Sequence, residues 1–322
     1  MISWSTDALR PHERFEHWRE VRGRHLAGVT MDVERERQAS FRGAFSSLAV
    51  GGALFSEIRS SAYDVTRTAA DIGRVSSDSL RIAHLVAGPG WCETPAGRVY
   101  LGVGTIATSH TDLPFAIRQR PGVEMHVRLL RIPLEGKGRL ARLVRDYHTT
   151  VLTPDGRFAR LLRAAFMSLA EEAAALGTGE AEQSVAHLAR LVLLSRGSVR
   201  AGEPESRAAV RDACLKAALR LIRNNLARQD LGVDTLARAL GISVRQMHVV
   251  FEPTASTCQA TITAMRIAEV RRQLLAAPGR SVTDIAFACG FDSLSTFYRA
   301  FRRVDDTTPG DYRQTALELA GG

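Results

Sequence analysis

Two stretches of the chain repeat one another, and all but one of the side chains they leave free are hydrogen-bonding ones. Leu236-Ala237-Arg238-Ala239-Leu240-Gly241-Ile242-Ser243 runs on to Met247 and Phe251. Ile285-Ala286-Phe287-Ala288-Cys289-Gly290-Phe291-Asp292-Ser293 runs on to Phe297 and Phe301. The offset is 49 residues between the glycines and 50 between the serines, one extra residue lying in the second turn. If the apolar residues four and eight places after each serine turn inward, the first copy offers Arg245, His248 and Val249 on its free face. The second copy offers Ser295, Tyr298 and Arg299. Guanidinium, imidazole and hydroxyl groups carried on one helix face are the groups that read base edges in a DNA major groove.

The elements that must position them follow from the same residues. A small alanine (Ala237, Ala286) lets two helices cross closely. A glycine (Gly241, Gly290) can take positive φ and end the first helix, Ile242 or Phe291 fills the corner, and Ser243 or Ser293 caps the second helix. Each copy therefore reads as a helix-turn-helix. Between them Ile262, Met265, Ile267, Val270 and Leu274 make the apolar stripe of one connecting helix, closed by Pro278-Gly279. About 18 residues at ~1.5 Å per residue span roughly 27 Å, which would set two recognition helices about 34 Å apart, one turn of B-DNA. The charge agrees in sign: 43 Lys and Arg against 34 Asp and Glu give +9. Almost all of the basic residues are arginine, Lys137 and Lys216 being the lysines.

With 322 residues there is room for about two domains. A composition of 45% hydrophobic and 24% charged residues excludes a disordered chain. Residues 41–132 change character every ~8–12 residues, as a β-rich domain requires. Leu80, Ile82, His84 and Val86 alternate with Arg81, Ala83 and Leu85, and the run stops at Gly88-Pro89-Gly90. Roughly six to eight short strands in a barrel or sandwich are expected. After Pro154-Asp155-Gly156 the period becomes helical: Phe158, Leu161, Leu162, Ala165, Phe166 and Leu169 form one stripe, and Val185, Leu188, Leu191 and Val192 a second. These two helices either pack on their own β domain or make a dimer surface. The expected architecture is α+β, with a β-barrel sensor over residues 1–155, a helical dimerisation pair over 156–196, a linker over 197–207 and an all-α domain over 208–317.

From Asp284 to Arg313 the chain reads I-A-x-x-x-G-F-x-S-x-S-x-F-x-R-x-F-R-R and then Thr308-Pro309-Gly310-Asp311-Tyr312-Arg313. This resembles the AraC/XylS family of bacterial transcription regulators over residues 208–317. The resemblance implies that Arg245, His248 and Val249, and Leu294, Ser295, Tyr298 and Arg299, face the bases. Phosphate contacts are expected from Ser243, Ser293, Arg271, Arg272 and Arg302. One departure stands out: family members usually carry a glycine after the first recognition helix, whereas Phe251-Glu252-Pro253-Thr254-Ala255-Ser256 has none and is one residue shorter. Phe15-x-x-Trp18, Phe41-Arg42-Gly43, Ile58-Arg59-Ser60, Gly102-x-Gly104 and Pro114-Phe115 similarly resemble the cupin-type, AraC-binding-like sensor domain of one branch of that family.

In such a sensor Arg59 and Arg81 could hold a carboxylate effector, and Trp91 and Tyr100 could line its pocket. His84, His110, His126 and His148 lack the spacing of a metal site, and no hydrolase, zincin or Walker motif is present, so neither catalytic residues nor a cofactor or metal is expected. Cys92, Cys214, Cys258 and Cys289 form no C-x-x-C pair and read as reduced core residues. No run approaches the ~18 apolar residues of a membrane span, and residues 1–24 are charged where a signal peptide is apolar. The expectation is a cytoplasmic, nucleoid-associated, effector-responsive activator with double-stranded DNA and RNA polymerase as partners, a homodimer as a further possibility and no membrane contact. The alternative is a cupin-like metal enzyme fused to a DNA-binding tail.

Overall fold

The alternation around Leu80 is a strand buried on both faces. In the computed structural model, which describes residues 1–26, 28–153 and 155–321, the strands run in chain order. They are β1 (Ile2–Ser5), β2 (Thr30–Asp32), β3 (Gly43–Val50), β4 (Ala53–Ser61), β5 (Asp64–Arg67) and β6 (Ser79–Ala87). Then follow β7 (Gly90–Thr94), β8 (Gly97–Leu101), β9 (Ile106–His110), β10 (Phe115–Gln119), β11 (Glu124–Pro133) and β12 (Thr150–Val151). Antiparallel pairing orders them into a seven-stranded sheet, β1-β3-β4-β11-β6-β9-β12, and a five-stranded sheet, β2-β5-β10-β7-β8.

The expected barrel therefore needs correcting. Twelve strands are present among the described residues, and no ladder among those residues joins the two sheets into a closed cylinder. Nine of the strands, β3 to β11, begin within residues 41–132, against the six to eight expected there; β7 and β8, joined by the tight Pro95-Ala96 turn, are a hairpin of five-residue strands. The two sheets share one core: Phe45 and Ile58 from the larger meet Val65, Cys92 and Phe115 from the smaller. The helix α1 (Arg14–Leu26) closes that core with Phe15 and Trp18, Trp18 being fully buried among Phe41, Phe45 and Tyr63. Short helices α2 (Arg35–Gln38), α3 (Ala69–Arg74) and α4 (Gly138–Val144) fill connections.

The two helices after the sheets are α5 (Arg157–Glu172) and α6 (Thr178–Ser195). Pro154 of the predicted break lies outside the described residues. On α5, Leu161, Leu162, Ala165, Phe166 and Leu169 are buried, and the Phe166 ring lies 5.9 Å from Phe55 of β4 and 6.2 Å from His84 of β6. The stripe thus covers the outer face of the larger sheet, the plainer of the two readings. Residues 204–207, placed in a linker by composition, are helical: α7 (Pro204–Asn224) begins with proline, which suits a first helical turn because its missing N–H would be unpaired there anyway.

The chain divides into Met1–Ala213 and Cys214–Gly322, the division falling within α7. The second unit is all helical: α8 (Val233–Leu240), α9 (Val244–Phe251), α10 (Cys258–Ala276), α11 (Val282–Ala288), α12 (Leu294–Asp305) and α13 (Pro309–Gly321). Ile267, Val270 and Leu274 of α10 pack with Ile285, Phe297 and Phe301 as one core.

Candidate nucleic-acid interface

The α8–α9 and α11–α12 pairs close with the same backbone bonds. Gly241 has φ +65°; its N–H donates to Arg238 O and that of Ile242 to Ala237 O. Gly290 has φ +88°; its N–H donates to Phe287 O and that of Phe291 to Ala286 O. These left-handed glycines satisfy carbonyls that a helix end leaves open. Helices of seven to twelve residues also need their N-terminal N–H groups capped. Ser243 Oγ accepts from Gln246 N at 3.1 Å while Gln246 Oε1 accepts from Ser243 N at 3.0 Å, and Ser293 Oγ accepts from Thr296 N at 3.3 Å. Thr257 and Ser281 cap α10 and α11 in the same way.

Capping fixes which face of each second helix is free. Met247 and Phe251, and Phe297 and Phe301, are buried at the spacing expected. Arg245, His248 and Val249 are exposed on α9, and Ser295, Tyr298 and Arg299 on α12. Leu294 stands apart from these, half-buried against the core around Phe297. Tyr298 and Val249 keep 43% and 41% of their surface open, a level at which a large apolar side chain is available to a partner.

The arginines divide. Arg302 is exposed. Arg271, assigned to phosphate from its place on α10, instead turns to Asp305 at the end of α12, Nε to Oδ2 being 3.0 Å. Arg272 grips Glu269 with two bonds of 2.8 and 2.6 Å, and that contact holds the Glu269 carboxyl below its ordinary range. Both guanidinium groups thus have intramolecular partners. Sequence reasoning also missed Arg266, which is buried on α10. Its Nε donates to Leu226 O at 3.1 Å and its Nη2 to Arg228 O at 2.6 Å, so it satisfies carbonyls of the α7–α8 connection. Burial pushes its pKa down. The signal was a charged residue four places from both Ile262 and Val270, on the apolar stripe itself.

The missing glycine after α9 is resolved by backbone rather than by residue type. A 3-10 turn, Glu252–Thr254, follows α9, and Ala255 takes φ +52°. Asp306, just past α12, has φ +52° as well.

In the first unit a cavity of about 140 Å³ opens between the sheets, with Arg81 on its wall. The other proposed effector residues are elsewhere. The Arg59 side chain is 66% exposed and bonded to Glu57. The Trp91 and Tyr100 rings pack at 5.1 Å with their planes tilted by 58°, and Arg98 lies over Trp91, on the outside of the smaller sheet. Trp91 lies between Gly90 and Cys92, which face inward, so pleating turns it out. Arg22, Arg67 and Arg131 line the cavity and were missed. The histidines do not gather: His110 bonds Asp78 and His126 bonds Glu57.

Residues 236–315 match a family model described as a helix-turn-helix domain. The chain is 35% identical over 95 residues to the transcriptional activator NphR of a Rhodococcus species, covering 30% of this chain and 28% of that protein. It is 35% identical over 109 residues to the xylose operon regulatory protein of Escherichia coli K12, covering 34% and 27%. To the HTH-type transcriptional activator RhaS of Citrobacter koseri it is 32% identical over 135 residues, covering 42% and 46%. The matched stretch is thus less than half the length of each relative. Among solved structures, the AraC-like transcriptional activator CuxR superposes with a TM-score of 0.53 at 20% identity, covering 89% of this chain and 99% of that one, which shows a shared fold. The paired motifs of the second unit are a helix-turn-helix domain similar to the matched stretches of these transcription regulators.

Proposed function

We propose that this protein is a sequence-specific DNA-binding transcription regulator whose helices α9 and α12 enter successive major grooves of one duplex. The observation that carries it is the doubled geometry: two glycine-closed, serine-capped helix pairs, each exposing a basic and polar face opposite a buried aromatic one. The 19 residues of α10 give a spacer of ~28 Å, commensurate with a turn of B-DNA. In this reading Arg245, His248, Val249, Ser295, Tyr298 and Arg299 read bases, Leu294 supports the second head, and Arg302 and the capped helix starts at Ser243 and Ser293 meet phosphates.

Two of the relatives, NphR and RhaS, are named as transcriptional activators, which favours activation and contact with RNA polymerase. Residues 1–155 are the effector-sensing part and 208–317 the DNA-binding part; the apolar stripe of α5 is taken up by the larger sheet, so a homodimer would use the outward faces of the 156–196 helix pair. An effector would act by binding one arrangement of the chain more tightly than another. The work is done on cytoplasmic DNA, and catalysis has no part in it.

A selection from random duplexes with the full chain tests this. The wild type should yield a site with two half-sites about one helical turn apart. Arg299→Ala should relax preference at one base position at a cost of ~1–3 kcal/mol. An unchanged selected sequence for Arg299→Ala would refute the assignment.

A further inference from the structure

We propose that the cavity between the two sheets binds a small monocarboxylate whose apolar body is about the size of one six-membered ring, with Arg22 and Arg81 holding its charge. That this ligand is the regulatory effector rests on the function proposed above; the binding site itself does not.

The volume, about 140 Å³, is close to the ~150 Å³ that accommodates one benzene. Four arginines from four elements line it, Arg22 of α1, Arg67 of β5, Arg81 of β6 and Arg131 of β11, and no Asp or Glu is on its wall among the described residues. Their commitments differ. Arg67 is saturated: it donates to Thr111 O, Gly28 O, Val75 O and Asp112 Oδ1 at 2.7–2.9 Å. Arg131 reaches Ser77 Oγ at 3.5 Å. Arg81 donates from Nε to Ser109 Oγ at 2.9 Å and lies 4.5 Å over the Phe115 ring.

Arg22 is the anomaly. It is 8% exposed, and its Nε and Nη1 are buried without a hydrogen-bond partner among the described residues. Its nearest ring is Tyr63 at 5.3 Å, whose hydroxyl is also buried and unpartnered. Burial, then the like charge of Arg81, push the Arg22 guanidinium down to about 9, so it is still charged at neutral pH. A buried cation with open donors is costly to keep, and a carboxylate satisfies two of them in the fork geometry that guanidinium presents. The rest of the wall, including Leu54, Ala83, Leu85, Val127 and Leu129, offers contact to hydrocarbon. One charged end and one apolar body is the ligand this wall describes.

The test measures binding of hexanoate and cyclohexanecarboxylate to the full chain, each against its primary amide, by calorimetry and thermal melting. At least one acid should bind tenfold or more tighter than its amide and raise the melting temperature. Arg22→Met should abolish the preference while leaving the ligand-free melting temperature equal or higher, because it removes an uncompensated buried charge. Arg22→Lys should retain part of the preference. The proposal fails if neither acid outbinds its amide, if Arg22→Met keeps the preference, or if Arg22→Met lowers ligand-free stability, which would make Arg22 structural. The duplex selection runs in parallel. Sequence-specific DNA binding without carboxylate binding overturns the cavity assignment alone; carboxylate binding without sequence-specific DNA binding supports the cavity and overturns the regulator reading.

Discussion

Replacing Arg271 with alanine separates a structural role from a phosphate contact. In the structure its guanidinium is 33% exposed and faces Asp305, whose side chain is only 10% exposed at the last turn of α12. Truncation leaves that carboxylate shielded from water and next to the negative end of a helix dipole, two effects of the same sign. Partial exposure of Arg271 lets solvent screen the pair, so the expected loss is ~1–2 kcal/mol, at the lower part of the range for an orphaned charged group. For a unit of about 100 residues that is a fall of roughly 4–16 °C in the melting temperature. Denaturation of Arg271→Ala, Asp305→Asn and the double variant should give a coupling energy of ~1 kcal/mol or more, as residues in contact do. DNA affinity should be measured against salt in the same series. A lost phosphate contact lowers the slope of log K against log salt by ~0.9, whereas a structural arginine leaves it unchanged. Wild-type stability together with a slope reduced by ~0.9 would refute the reasoning and return Arg271 to the phosphate backbone.

Gly290→Ala should cost ~3 kcal/mol or more, because φ is +88° and an added Cβ would lie 2.1 Å from Leu226 O. A melting temperature equal to that of the wild type would contradict this. Ala255→Gly should stabilise by ~0.5 kcal/mol in denaturant titration by relieving φ +52°, and a loss would contradict the strain assigned there. Asp112 is held below its ordinary range: burial opposes this but is outweighed by bonds from Ser76 Oγ, the N–H groups of Asp78 and Ser77, and Arg67. Its folded pKa is depressed, so its stabilisation is complete above the unfolded value of ~3.9 and is lost as pH falls through the lower folded value. The stability gap between wild type and Asp112→Asn should therefore narrow from pH 5 to pH 3, and a constant gap would show no linkage.

The helix pairs were legible because every instruction in them is local. A glycine, a corner residue, a serine cap and apolar residues four and eight places on lie within about a dozen residues, and helical period alone assigns their faces. The sheet-rich unit was less so. Alternation shows that a strand has two faces, not which one meets a core. On β6 both do, Leu80, Ile82 and His84 being buried while Arg81, Ala83 and Leu85 line the cavity. Arg59, Trp91 and Tyr100 were chosen for their side-chain chemistry alone, and the pleat turns them away from the cavity. The Arg271 ion pair was hidden for another reason: its partner is 34 residues away, and only tertiary structure brings Asp305 to it. Arg22 carries no mark in sequence, because an arginine on a first helix looks like any solvated one until the sheets close around it.

Left-handed residues sit at corresponding joints of both helix pairs, Gly241 with Gly290 and Ala255 with Asp306, although the second match shares no side-chain chemistry. The duplication is thus kept as a set of torsions, and the filling between the joints is free to drift. Segments cut at those joints are natural units of exchange: swapping residues 241–255 with 290–306 would carry one exposed helix face to the other's address between joints of the same handedness.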